Sequence, residues 1–204
     1  MGKFHNGVLG IMTGKVGGVV GRTWKGINTV ASYQPNVSNP RTNAQVGQRN
    51  KLTALTQLAS QLNTGFIKPL WDRDAKKMSG FNAFIQANMA SVSDLGIITY
   101  QNLIGSNGKM SAPYGVAAAI KMGSIDVNYG TIVTDAYGLA SDKVYCAVID
   151  LASSNVYVSS GVATRAEGSV EVDTAGLELD SIAILIAFRR ADGSMTSNAK
   201  VLEV

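Results

Sequence analysis

Apolar residues at the start of the chain recur between glycines and follow no helical period. From Val8 to Tyr33 no 3.6-residue stripe connects them. Each glycine inside a helix would cost about 1 kcal/mol relative to alanine. The pattern therefore predicts two or three short strands, a hairpin or ribbon that turns near Gly14-Lys15 or Gly17-Gly18. A ribbon with so little side-chain volume is marginal in isolation, so we expect it to need another surface.

The period becomes helical after a proline-containing break. Apolar residues recur every three to four positions over residues 44–62, and Thr42 or Asn43 precedes them as an N-cap. This predicts a helix that stops near residues 63–65, where Gly65 offers a C-terminal cap. A second helix is predicted after Ser79, an N-cap candidate followed by an apolar run at three-to-four spacing.

From Ile97 onward the apolar pattern indicates strands. We predict a strand over residues 97–104, whereas residues 116–120 fit either a helical turn or a buried strand. Further strands are predicted at residues 124–128, 143–149, 155–162, 169–172, 181–188 and 199–204. Residues 182–188 are apolar on both faces, which predicts a central strand. Short strands at this spacing are typical of a small immunoglobulin-like sandwich.

Together these segments predict an α+β protein. It has a basic, glycine-rich β-ribbon arm at residues 1–40, two helices within residues 41–95 and a β-rich body at residues 96–204. The antiparallel sandwich begins at about residue 124. A hydrophobic content of 46% with 16% charged residues is ample for a core. No apolar run approaches the roughly 18 residues of a membrane helix, so no membrane span is expected.

Charge is distributed unevenly along the chain. Residues 1–71 contain eight Lys and Arg and no acid, and the first acid is Asp72. The other ten basic residues share the remainder with all fourteen acids, so a segment of +8 is joined to a body of −4. Such a segment favours an acidic partner surface or phosphates. The candidate docking residues, for protein or nucleic acid, are Lys15, Arg22, Trp24, Lys25, Arg41, Arg49 and Lys51.

Side chains that could build a catalytic or metal site are few. With one His and one Cys, a zinc site lacks ligands, and a Ser-His-acid triad would have to use His5. Asp72 and Asp74 stand among basic residues, as in a solvated turn. The glycines of residues 14–21 lack the Gly-Lys-Ser/Thr ending of a phosphate loop. We therefore expect that the protein is not an enzyme and that it holds no metal or cofactor. Cys146 should be a buried, inert thiol.

Two motifs stand out: GKVGGVVGRTWKG at residues 14–26 and NPRTNAQ at residues 39–45. Together they resemble an uncharacterised domain family of Bacteroidota genomes and their phages. SGFNAFI at residues 79–85 is similar to an element of many phage-encoded proteins, and residues 185–198 resemble the family's closing strand-turn-strand. No catalytic residues are attached to that family. The resemblance implies a virion or prophage setting, not a mechanism.

The leading hypothesis is a phage virion structural protein: a capsid, spike or decoration component made in the host cytoplasm. Its arm would dock on other virion proteins or on copies of itself. One alternative is a nucleic-acid-organising protein that binds the packaged genome through residues 1–71. Another is a surface adhesin whose sandwich binds glycans. Eight charges over residues 1–71 are less dense than a dedicated nucleic-acid tail, which favours protein docking.

Overall fold

The computed structural model describes residues 2–5, 10–36, 39–133, 136–177 and 179–204, with only the backbone of Phe4 and His5. The strands are β1 (Lys3–His5), β2 (Ile11–Val16), β3 (Val19–Trp24), β4 (Ile27–Ser32), β5 (Ala117–Lys121), β6 (Ser124–Asn128), β7 (Lys143–Asp150), β8 (Val156–Thr164), β9 (Ser169–Asp173), β10 (Ile182–Arg189) and β11 (Lys200–Glu203). The α-helices are α1 (Asn43–Leu62), α2 (Lys68–Trp71) and α3 (Gly80–Asn88).

The chain divides into two compact units. The first comprises Met1–Thr42 and Lys76–Met78, and the second comprises Asn43–Ala75 and Ser79–Val204. The helices that follow the ribbon therefore belong to the same unit as the β-rich body.

The first unit is an antiparallel ribbon in the order β1-β2-β3-β4. The predicted turn at Gly17-Gly18 is confirmed, because Val16 and Val19 pair across it. The alternative turn at Gly14-Lys15 is wrong, since both residues pair with β3 inside β2. A second two-residue turn joins β3 to β4 through Lys25 and Gly26, whose φ angles are 44° and 82°. Positive φ at both positions matches the right-handed twist of a hairpin.

The second unit contains the predicted antiparallel sandwich, which is confirmed. One sheet has the order β11-β10-β7-β8, and the other has the order β5-β6-β9. β10 is a central strand, as predicted, and all its residues except Arg189 are buried. For residues 116–120, which fit either a helical turn or a buried strand, the structure shows a strand, β5. It is mostly exposed, because it lies at the edge of its sheet.

Alternation along β10 builds two cores on the two faces of one sheet. Ile184, Ile186 and Phe188 point into the sandwich, where they join apolar residues of β6 and β9. Ala183 and Leu185 point the other way, into a core shared with the helices. The unit is thus three-layered: helices, the four-stranded sheet and the three-stranded sheet. Burial on both faces explains why β10 has no polar face.

α1 ends at Leu62, next to the predicted stop near residues 63–65, but the predicted C-terminal cap at Gly65 is wrong. The helix passes from α1 into a π-helical turn, Asn63–Ile67, and continues into α2. Pro69 has no N–H to donate to the Gly65 carbonyl, which instead accepts a 2.6 Å hydrogen bond from the Ser160 hydroxyl. Glycine is required there by close approach, because a Cβ would lie 2.7 Å from Val158 Cγ1. Gly65 therefore seats the helix on β8.

The second predicted helix is confirmed as α3, with Ser79 as its N-cap accepting from the Asn82 N–H at 3.2 Å. The predicted strand over residues 97–104 is wrong. Asn88, fully buried, accepts from the Ile104 N–H at 2.7 Å and donates to the Ile104 carbonyl at 3.1 Å. These bonds replace the partner strand that an extended segment would need, and residues 100–102 form a 3₁₀ turn.

One ion pair is buried at the end of the sandwich. The Arg165 side chain is 2% exposed, and its Nη2 lies 3.7 Å from Oδ2 of the fully buried Asp142. The guanidinium also lies 4.1 Å from the centre of the Phe188 ring. Removing one member of such a pair leaves the other charge buried without compensation.

Gly65→Ala should destabilise the protein by about 1–3 kcal/mol through overpacking against β8. Helix propensity alone predicts the opposite sign, a gain of about 1 kcal/mol. Chemical denaturation would measure the change, with Thr64→Ala on the exposed side of the same turn as control. A stabilised Gly65→Ala variant would contradict the close contact with Val158.

Arg165→Met should lower the free energy of unfolding by about 3–5 kcal/mol, because Asp142 is left as an unpaired buried charge. Adding Asp142→Asn should recover part of this loss, since the amide oxygen still accepts from the Leu139 N–H. Denaturant titration measures both variants, and Lys143→Met, on a partly exposed neighbour, is the control. A loss no larger than that of the control would show that the pair contributes nothing.

Candidate functional site

The register of the ribbon places the predicted docking residues on one face. Cross-strand partners share a face of a sheet, and Lys15 pairs with Val20, Arg22 with Thr29, and Trp24 with Ile27. We call this the cationic face. The members that the pairing of β2, β3 and β4 places there are Lys15, Val20, Arg22, Trp24, Ile27, Thr29 and Ala31. The first half of β2 pairs with β1 instead, where Lys3 lies opposite Thr13.

The opposite face of the ribbon carries no charged residue. We call it the glycine face; the members that the same pairing places there are Gly14, Val16, Val19, Gly21, Thr23, Asn28, Val30 and Ser32. Gly14 pairs with Gly21, and a Cβ on Gly21 would lie 2.2 Å from the Met12 carbonyl oxygen. The Met12 backbone therefore lies close over Gly21, while Lys15 and Arg22 lie on the other face.

The ribbon leaves its large side chains exposed. Trp24 is 60% exposed and Val30 is 64% exposed, one on each face, and β4 contains no buried residue. Uncovered aromatic and aliphatic area of this kind gains free energy when a partner covers it, at roughly 25 cal/mol per Å². The arrangement is suited to docking.

The cationic face keeps its charge. Lys15 Nζ lies 3.3 Å from the centre of the Tyr33 ring, a cation–π contact that holds the ammonium without neutralising it. Lys25 Nζ donates to the Met78 carbonyl at 2.7 Å within the same unit. Among the described residues, the ion pairs include none of Lys15, Arg22 and Lys25. The face therefore carries a positive potential, which attracts carboxylate or phosphate groups.

The structure divides the predicted site residues between the two units. Lys15, Arg22 and Trp24 come together on the cationic face, Lys25 occupies the turn after Trp24, and Arg41 belongs to the same unit. Arg49 and Lys51 lie on α1, in the second unit. Lys51 Nζ already pairs with Asp94 Oδ1 at 2.8 Å.

Sequence reasoning missed Ile27, which lies beside Trp24 on the cationic face. The signal was available in part. Two-residue turns fix the register of a hairpin, so the turns at Gly17-Gly18 and Lys25-Gly26 determine which side chains share a face.

Reactive chemistry is sparse in the described part of the chain. Cys146 is fully buried, and burial raises the pKa of its thiol to about 12, so it is an inert core residue as predicted. No cluster of three or more His, Cys, Asp or Glu able to hold a metal occurs in the described residues. The His5 side chain lies outside them. None of the described helices combines the length and apolar character needed to cross a membrane.

Comparison with known proteins gives a family. The model of a family described as "Family of unknown function (DUF6266)" matches residues 11–203. The FN1–FN3 domains of chicken CNTN1 are similar at 9% identity and TM-score 0.33, over 48% of this chain and 33% of that chain. The fn3 domain of human contactin 1 is similar at 12% identity and TM-score 0.29, over 48% and 79%. Among curated proteins none matches.

Quenching of Trp24 fluorescence by charged ions reports the electrostatic potential at the cationic face. In the Trp71→Phe variant, iodide should quench Trp24 about twofold more strongly than caesium at low salt, since the neighbouring cations attract the anion. The difference should fade at high ionic strength. Trp24→Phe is the control, because Trp71 is only 9% exposed and should resist both quenchers. Equal quenching by both ions would refute a cationic environment around Trp24.

Proposed function

The chain belongs to DUF6266, a family of unknown function, and we propose that it is a structural component of a phage virion. In this proposal it is a capsid, spike or decoration protein whose ribbon docks on other subunits. The proposal assigns no catalytic residue. The family resemblance, with its virion or prophage setting, supports the location, and the ribbon supports the docking role.

The exposed ribbon is the observation that carries the proposal. Among the described residues of β2, β3 and β4, only Gly21 is buried. The sheet therefore has almost no core of its own. Sheets become stable when one face packs on a hydrophobic surface. Trp24 and Ile27 on the cationic face and Val30 on the glycine face supply apolar area for such a contact.

Charge favours a protein partner with an acidic surface. The cations of the ribbon are spaced along a folded sheet, between apolar residues such as Trp24 and Ile27. Alternation of charged and apolar groups on one face is suited to a partner that offers both carboxylates and apolar side chains. The cations would steer association, while burial of the apolar residues would supply most of the affinity.

A second candidate function is supported by the aromatic residues of the ribbon. Trp24 lies on the same face as Arg22, and Tyr33 contacts Lys15, so bases could stack while cations neutralise phosphates. In this role the chain would organise the packaged genome. The adhesin role has less support, since Tyr129 is buried in the sandwich and its hydroxyl donates to the Thr164 carbonyl.

Mass spectrometry of gradient-purified particles should find the chain at a stoichiometry typical of a structural protein. The full-length variant Trp24→Ser/Ile27→Ser should be incorporated at least tenfold less, because loss of a central aromatic anchor costs about 2 kcal/mol or more. Leu95→Ser, at an 80% exposed apolar residue of the second unit, is the matched control. Absence of the chain from particles would overturn the proposal.

Nuclease treatment separates the two candidates. A chain that docks on protein subunits stays with the particle shell after the genome is digested, whereas a genome-binding chain is released. Steep salt dependence of binding to free DNA, lost in Lys15→Glu/Arg22→Glu, would favour the second candidate.

A further inference from the structure

A groove of about 700 Å³ lies between β8 and β9 in the second unit. β8 is the last strand of the four-stranded sheet and β9 the last of the three-stranded sheet, so the groove runs where both sheets end. Edge strands carry unpaired N–H and C=O groups that a partner chain can use.

The lining of this groove is both acidic and apolar. Met122 is 83% exposed and Val162 is 78% exposed, which makes them among the most exposed apolar side chains of the described residues. Three carboxylates, those of Glu167, Glu171 and Asp173, also line it, and no Lys or Arg does. Lys121 on β5 pairs with Asp126 and also interacts with Glu171, so the groove and its rim keep an excess of negative charge. Exposed apolar residues beside such an excess indicate a surface that an apolar and cationic partner covers.

The cationic face of the ribbon has that chemistry. It sets Lys15 and Arg22 on the same face as Trp24 and Ile27, and residues 1–71 contain no acid. We propose that the groove between β8 and β9 receives the cationic face of the ribbon of a second copy of this chain. This inference rests on the proposed docking function and names its partner and its acceptor site.

Charge segregation is the reason for choosing a second copy as the occupant. The segment of +8 and the body of −4 belong to the same chain, so every copy carries both halves of the contact. The two surfaces differ, which makes the contact heterologous. Heterologous contacts build closed rings or open filaments according to whether the rotation between subunits closes. A repeated assembly is what a virion structural component requires.

The three carboxylates of the groove are not equally suited to a test. Glu167 Oε1 accepts from the Thr164 hydroxyl at 2.7 Å in a capping box, and Asp173 accepts from the Ala175 N–H at 2.7 Å. Both support local turns. Glu171 is exposed in the middle of β9, opposite Asp126, so its replacement should disturb folding least.

The test is a charge-swap experiment on the full chain. Sedimentation velocity should show self-association of the wild type, weakened at least roughly tenfold by Glu171→Lys or by Arg22→Glu. Mixing the two variants should give associated species that contain both proteins, because each contributes one intact surface. The double variant Glu171→Lys/Arg22→Glu should recover part of the wild-type association. Asp180→Lys and Lys200→Glu, exposed residues outside the two surfaces, are the controls. Thermal melting verifies that every variant folds.

The outcomes separate this inference from the function on which it rests. Self-association that weakens with Arg22→Glu but not with Glu171→Lys places the acceptor elsewhere and overturns the inference. A wild-type chain that remains monomeric overturns it as well, even if the chain is found in purified particles. Weakening by both variants without recovery in the double variant shows two independent effects and also rejects the pairing.

Discussion

Burial of β7 and β10 on both faces is the constraint on which the second unit depends. Their side chains alternate between the sandwich core and the core beneath the helices. β10 turns Ile184, Ile186 and Phe188 toward the sandwich, and Ala183, Leu185 and Ala187 toward the helices. The two alanines leave room for Phe66 and other large helical residues. Neither core can form without the central sheet.

The ribbon is built on the opposite principle. Its strands satisfy the backbone through cross-strand hydrogen bonds, but its side chains gain almost no burial from the described residues. Instead of forming a core, the side chains of the ribbon are divided between its two faces. Cations and Trp24 lie on one face, and glycines and Val30 lie on the other. The ribbon therefore leaves apolar area exposed that an intermolecular contact could bury. This exposed area is the physical basis of the proposed docking role.

Much of the architecture was predictable from the sequence because local patterns and tertiary packing agree. Residues 182–188 are apolar at every position, and Ser79 precedes a helical period; both predictions hold. The failures occur where a distant contact overrides a local signal. Gly65 resembles a helix C-cap in the sequence, but in the structure it packs against β8. Asn88 hydrogen-bonds the backbone of Ile104, which is 16 positions away. For the site, the distribution of charge along the sequence identified Lys15 and Arg22, and the strand register shows that they share a face.

The shared central sheet has a consequence for modularity. Sandwich domains of this size are commonly exchanged between proteins as self-contained cassettes, because their outer faces are polar. Here the outer face of the four-stranded sheet is apolar and belongs to the helical core, with Ala147, Ile149 and Leu185 beneath the helices. Recombination at the start of the strands would separate this apolar face from the helices that cover it. The inheritable unit is therefore the helices and the sandwich together, whereas the ribbon can diverge in step with its partner.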